Sequence, residues 1–187
     1  MILKGGIEMN KKFMMLALAI LFLTMGYSVL AEAQEKGGAN PVITQAFAAK
    51  EIRPGETWKI YLNVSDPNGD MKNIYAVVSQ PGVGQYPLSI IRVKEENRKE
   101  LSGYIYLWTS TPWYPLDYAN ISLTIQIQDK SGNFSAPAFF ALSLNSRYSQ
   151  EAPPQGVFKE QELGPIMVRL KGVDGADGGG GSYFAGR

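Results

Sequence analysis

Two short stretches, "SDPNGD" (65–70) and "DKSGN" (129–133), concentrate the oxygen ligands of this chain. Asp66, Asn68, Asp70, Asp129 and Asn133 offer carboxylate and carboxamide oxygens, the donor type that Ca²⁺ prefers. The run D-x-N-x-D at 66–70 opens like a helix-loop-helix calcium loop and then departs from it. Met71 stands where that loop needs Gly, and Val77 where it needs the bidentate Glu. The alternative reading is structural. Asp and Asn at a turn bond to their own backbone and Gly supplies positive φ, so the same residues make hairpin tips without any metal. A second set is aromatic. Trp108, Trp113, Tyr114 and Tyr118 lie within "WTSTPWYPLDY" (108–118) and could stack on a sugar or anchor a partner. Trp113 and Tyr114 could equally close the end of a core.

Other chemistries are closed by composition. The chain has no cysteine and no histidine, which removes thiol nucleophiles, disulfides, Cys/His zinc sites and imidazole bases. Ca²⁺ is the one cofactor the residues leave open. Formal net charge is +1 with no long basic block, so nucleic acid is not an expected partner. Carboxylates fall on turns rather than in a recognisable acid–base pair, and no catalytic signature occurs. The expectation is a protein that is not an enzyme.

The N-terminus reads as an address. In "MNKKFMMLALAILFLTMGYSVLAEAQ" (9–34), Lys11 and Lys12 form the charged region of a signal peptide, residues 13–23 its apolar stretch, and Ala31-Glu32-Ala33 its cleavage site. Cleavage after Ala33 leaves residues 34–187, with 1–33 as the signal. Met9 is the better start, because Lys-Gly-Gly before it matches a translated bacterial ribosome-binding site. An uncleaved anchor is the competing reading, since apolar character continues to Ala31. Without cysteine there is no lipid anchor. The expected location is periplasmic, cell-surface or secreted, with a membrane association only if the signal stays uncleaved.

Residues 34–40 read as a linker, and from Pro41 a period of two sets in. Strands are predicted at 41–49, 57–66, 73–80, 88–94, 101–109, 119–129 and 134–145. In the second, Trp58, Ile60, Leu62 and Val64 share one face; in the sixth, Ile121, Leu123, Ile125 and Ile127 do. Seven such segments without a convincing helix predict an all-β fold, an antiparallel immunoglobulin-like β-sandwich spanning 41–146. Residues 147–187 read as a linker and a flexible Gly-rich tail, with room for one extra strand near 163–170.

The pattern "I-x-PG-E-x-W-x-I-x-L-x-V-x-D" (52–66), followed by "I-x-I-x-D-K-x-G-N-x-S" (125–135), resembles bacterial immunoglobulin-like and fibronectin type III-like modules of exported proteins. In a Greek key of that kind, the loops after the second and sixth strands share one end. The two Asp-rich turns should therefore meet at one pole, with the aromatic connection and "IRPGET" (52–57) at the other. The expected function is an exported binding or structural module for adhesion, scaffolding or the envelope. The alternative is a carbohydrate-binding module using the aromatic pole, and the third reading a small enzyme or inhibitor. A protein or polysaccharide at the cell surface is the expected partner.

Overall fold

The structure, a computed structural model, describes residues 38–110, 116 and 118–172. The signal peptide and the Gly-rich tail lie outside the described residues. Among those described, no helix is long and apolar enough to cross a membrane.

Among the described residues, ten strands form two packed sheets. They are β1 Val42–Ala48, β2 Glu51–Ile52, β3 Thr57–Ser65, β4 Met71–Gln80, β5 Gly84–Gln85, β6 Ser89–Arg92, β7 Glu100–Trp108, β8 Asn120–Asp129, β9 Ala138–Leu144 and β10 Glu162–Pro165. The first sheet runs β1-β3-β7-β10. The second runs β2-β9-β8-β4, with β5 and β6 both pairing along the far side of β4. This strand order defines an immunoglobulin-like β-sandwich. The seven expected segments supply β1, β3, β4, β6, β7, β8 and β9.

Alternation does the folding work. Trp58, Ile60, Leu62 and Val64 of β3 face Ile121, Leu123, Ile125 and Ile127 of β8 across a core in which all eight are buried. The Trp58 indole N–H donates to the Ala49 carbonyl at 2.8 Å, so its one polar atom is satisfied inside.

The sheets are not purely antiparallel. Two pairings are parallel, β2 with β9 and β10 with β7. The first arises because the chain crosses from the first sheet to the second between β1 and β2. The second needs a long crossover, and residues 145–161 provide it. In the constant-type immunoglobulin order the fourth strand would sit beside the fifth. Here that strand, β6, bonds to β4 in the other sheet and leaves the edge of β7 open for β10.

The segment after β9 is built into the fold. Tyr104 N–H donates to the Gln161 carbonyl at 2.8 Å, and Ile166 N–H to the Tyr106 carbonyl at 2.7 Å. Ile166, Val168 and Leu170 then enter the core. Glycine permits this approach at two positions. A Cβ on Gly103 would collide with the Gln161 carbonyl and the Leu163 side chain, so Leu163 fills the slot that Gly103 leaves. Gly164 has φ +146° and would strike Ile91 if it carried a side chain.

Polar clamps hold both ends of the segment. The Glu160 carboxylate accepts from Tyr61 OH at 2.7 Å and from Lys59 Nζ at 3.0 Å. Those two bonds hold Glu160 below the ordinary carboxylate range. Tyr61 points outward by alternation yet is only 4% exposed, because this segment covers it. At the far end the buried Tyr86 hydroxyl donates to Gln80 Oε1 and accepts Lys171 N–H at 2.9 Å, and Gln80 Nε2 donates to the Lys171 carbonyl at 2.7 Å.

Candidate functional site

The two Asp-rich turns do meet. Lys130 N–H donates to the Asp70 carbonyl at 3.1 Å, and Met71 pairs with Asp129 across β4 and β8. Each turn is organised by its own buried aspartate. Asp66 accepts Asn68 N–H at Oδ1 (3.1 Å) and Asp70 N–H at Oδ2 (3.0 Å). Asp129 accepts Asn133 N–H at Oδ1 and Asn133 Nδ2 at Oδ2, both at 2.8 Å. Asn68 sends its amide to the Ala39 carbonyl at 3.0 Å. Three of the four bonds to these carboxylates come from the turn's own backbone N–H groups, and the fourth from the Asn133 amide. Among the described residues, no group of three Asp, Glu, His or Cys is arranged to hold a metal ion.

Asp70 is the exception to this self-satisfaction. Its Oδ1 is buried with no hydrogen-bond partner. Burial raises its pKa most, followed by contact with the Asp66 carboxyl and the charges of Asp129 and Asp66; Lys130 pulls the other way. A carboxyl raised in the fold is tolerated best when protonated. Its penalty is absent below its ordinary pKa and grows as pH rises through the raised range. Asp70→Asn is therefore expected to raise the melting temperature at about pH 7 and to lose that advantage near about pH 3. Thermal melts at both pH values check this. The same melts in EDTA and in excess Ca²⁺ are expected to superimpose. A Ca²⁺-dependent rise that vanishes in Asp70→Asn would instead make the meeting carboxylates a cation site.

At the other pole, Thr109 ties the "IRPGET" turn to the end of β7. Its Oγ1 donates to the Glu56 carbonyl at 2.6 Å and accepts Gly55 N–H at 3.0 Å. A tilted aromatic ladder runs along the outer side of this sheet through Tyr61, Tyr104, Tyr106 and Trp108. Phe158 covers its inner end, and Trp108 is left 48% exposed with Tyr106 edge-on at 5.2 Å. Tyr118 is 71% exposed at φ +62°, held by its N–H to the Leu144 carbonyl at 2.7 Å. Trp113 and Tyr114 lie outside the described residues.

A third surface carries no signal of the kinds sought in the sequence. The outer side of the second sheet presents Tyr75 and Val77 from β4, Ile90 from β6, Thr124 and Gln126 from β8 and Phe139 from β9. Thr124 stands between Val77 and Phe139, and Tyr75 between Ile90 and Gln126. Phe134 adds its ring 5.4 Å from that of Tyr75. Phe139 is 74% exposed and Ile90 55%. The outward positions hold one carboxylate, Glu51 of β2, beside Ser143 at the edge of the sheet. Arg92 is the one cation among them, and Lys72 stands in the bulge at the same end of the sheet as Arg92. Only the absence of charge on alternate residues of 120–128 hinted at this surface.

No family model matches the chain, and no curated protein does. Among solved structures, the PKD domain of an M14-like peptidase from Thermoplasmatales archaeon SCGC AB-540-F20 is 13% identical with a TM-score of 0.38, over 58% of this chain and 99% of that one. The CARDB domain of a Pyrococcus furiosus protein, solved in complex with di-metal ions, is 10% identical with a TM-score of 0.31, over 56% of this chain and 85% of that one.

Proposed function

We propose that this chain is an exported, non-enzymatic module that acts by binding, and that its binding surface is the bare outer face of the second sheet. The observation that carries this is the contrast between the two outer faces. Residues 150–162 cross the first sheet and bond to Lys59, Tyr61, Ser102 and Tyr104. The second sheet leaves Phe139 and Ile90 in solvent on a face whose charges, Glu51, Lys72 and Arg92, stand at its margins. Interface cores are depleted of charge and rich in aromatic residues, and a face of that composition belongs against a protein or polysaccharide surface in the cell envelope. Retention on isolated envelopes tests it. Phe139→Lys and Ile90→Lys should each lower retention at least tenfold, by burying an unpaired charge, while Trp108→Ala leaves it unchanged. Equal retention in both lysine variants would remove the proposal.

Trp108 supports a second reading, carbohydrate binding at the aromatic pole, because a half-exposed indole braced by Tyr106 is suited to stacking on a sugar ring. On that reading, envelope oligosaccharides change tryptophan fluorescence and Trp108→Phe abolishes the change. A flat titration would dismiss it.

A further inference from the structure

We infer, on the strength of that binding-face reading, that the partner of the second sheet is a second copy of the same chain, paired sheet to sheet about a two-fold axis. A two-fold contact lays one surface on itself, so a charge at its centre meets its own kind. This surface keeps its charges off its centre. Lys72 and Arg92 stand together at one end and Glu51 at the β2 edge, clear of Thr124 and Phe139. Its polar groups are self-complementary as well: the hydroxyl of Thr124 and the amides of Gln126 and Gln128 both donate and accept, so each can bond to an identical group. The whole chain is formally +1, which leaves little long-range repulsion between copies.

The size of the face sets the strength. At about 4.8 Å spacing, about 27 Å of β4 and of β8, about 20 Å of β9 and about 13 Å of β6 give roughly 400 Å² per copy. The total of about 800 Å² falls in the range of weak, transient contacts, which implies a concentration-dependent dimer.

Sedimentation of the full chain, exported and purified from the periplasm or medium, tests this from about 1 to about 500 µM, since assembly follows mass action. The expected result is monomer at the low end and dimer at the high end. Phe139→Lys and Ile90→Lys should each move the midpoint up at least tenfold, and Trp108→Ala should not move it. Both side chains are more than half exposed, so neither substitution reaches the core, and unchanged near-ultraviolet circular dichroism verifies the fold. A chain that stays monomeric throughout, or a dimer of equal strength in both lysine variants, overturns the pairing. A monomer whose envelope retention is still lost in Phe139→Lys overturns the pairing and keeps the binding face. A dimer lost in Phe139→Lys, with envelope retention unaffected, keeps the pairing and removes the envelope role of the face.

Discussion

Ending the chain after Ser146 is expected to leave a protein that no longer unfolds cooperatively near its original midpoint. The deletion withdraws Ile166, Val168 and Leu170 from the core and Leu163 from the slot beside Gly103. Burial of a large aliphatic side chain contributes about 1.5–3 kcal/mol. Four such losses come to roughly 6–12 kcal/mol, the same size as the entire stability of a typical domain. The deletion also exposes the edge of β7 and strips Tyr61 and Tyr104 of their cover. Urea melts followed by near-ultraviolet circular dichroism check this, and an unchanged midpoint would mean that the segment only decorates the sandwich. Gly103→Val is the point version: it leaves every residue present and expels Leu163 and the 161 carbonyl from contact. Acid should act on the same element in a milder way. The depressed Glu160 contributes stability above its ordinary pKa, and that contribution is lost as pH falls through its lowered range. Its half-exposed position keeps the effect small.

Trp58→Ala carries the second large expectation, a loss of about 3–5 kcal/mol. The indole is fully buried beneath both sheets, so its removal opens a cavity that the paired strands cannot collapse to fill. Trp58→Phe separates volume from hydrogen bonding. It keeps most of the ring but leaves the Ala49 carbonyl without its donor, at a cost of about 1–3 kcal/mol. Denaturant midpoints should fall in the order wild type, Trp58→Phe, Trp58→Ala, with unchanged slopes. A smaller loss in Trp58→Ala than in Trp58→Phe would show that the packing at this position is misjudged.

The fold was legible wherever alternation ran unbroken. Ile121 to Ile127 and Trp58 to Val64 each bury one face, and a period of two admits no other element. β2 and β5 were not legible, because two-residue strands have no period. β10 was only hinted at. Gly164 and Pro165 interrupt its pattern, and what fixes it is the open edge of β7, a consequence of β6 choosing the other sheet. The Asp66 and Asp129 turns were readable in place and in meeting, since turn chemistry is local and Greek-key connectivity sets which loops are neighbours. Which way their oxygens face was not, because that depends on individual bonds such as Asn133 to Asp129. The bare face escaped notice for a different reason. A face made of Thr124, Gln126, Val77 and Phe139 has no residue whose type alone announces chemistry, and it exists only once the strands lie side by side.

The most direct test of where this protein binds is a carbene-labelling footprint of the envelope-bound protein against the free protein. Labelling is expected to fall at Tyr75, Ile90 and Phe139 and to stay the same at Trp108 and Tyr118. Protection of Trp108 and Tyr118 with Ile90 and Phe139 unchanged would contradict the account and move the function to the aromatic pole.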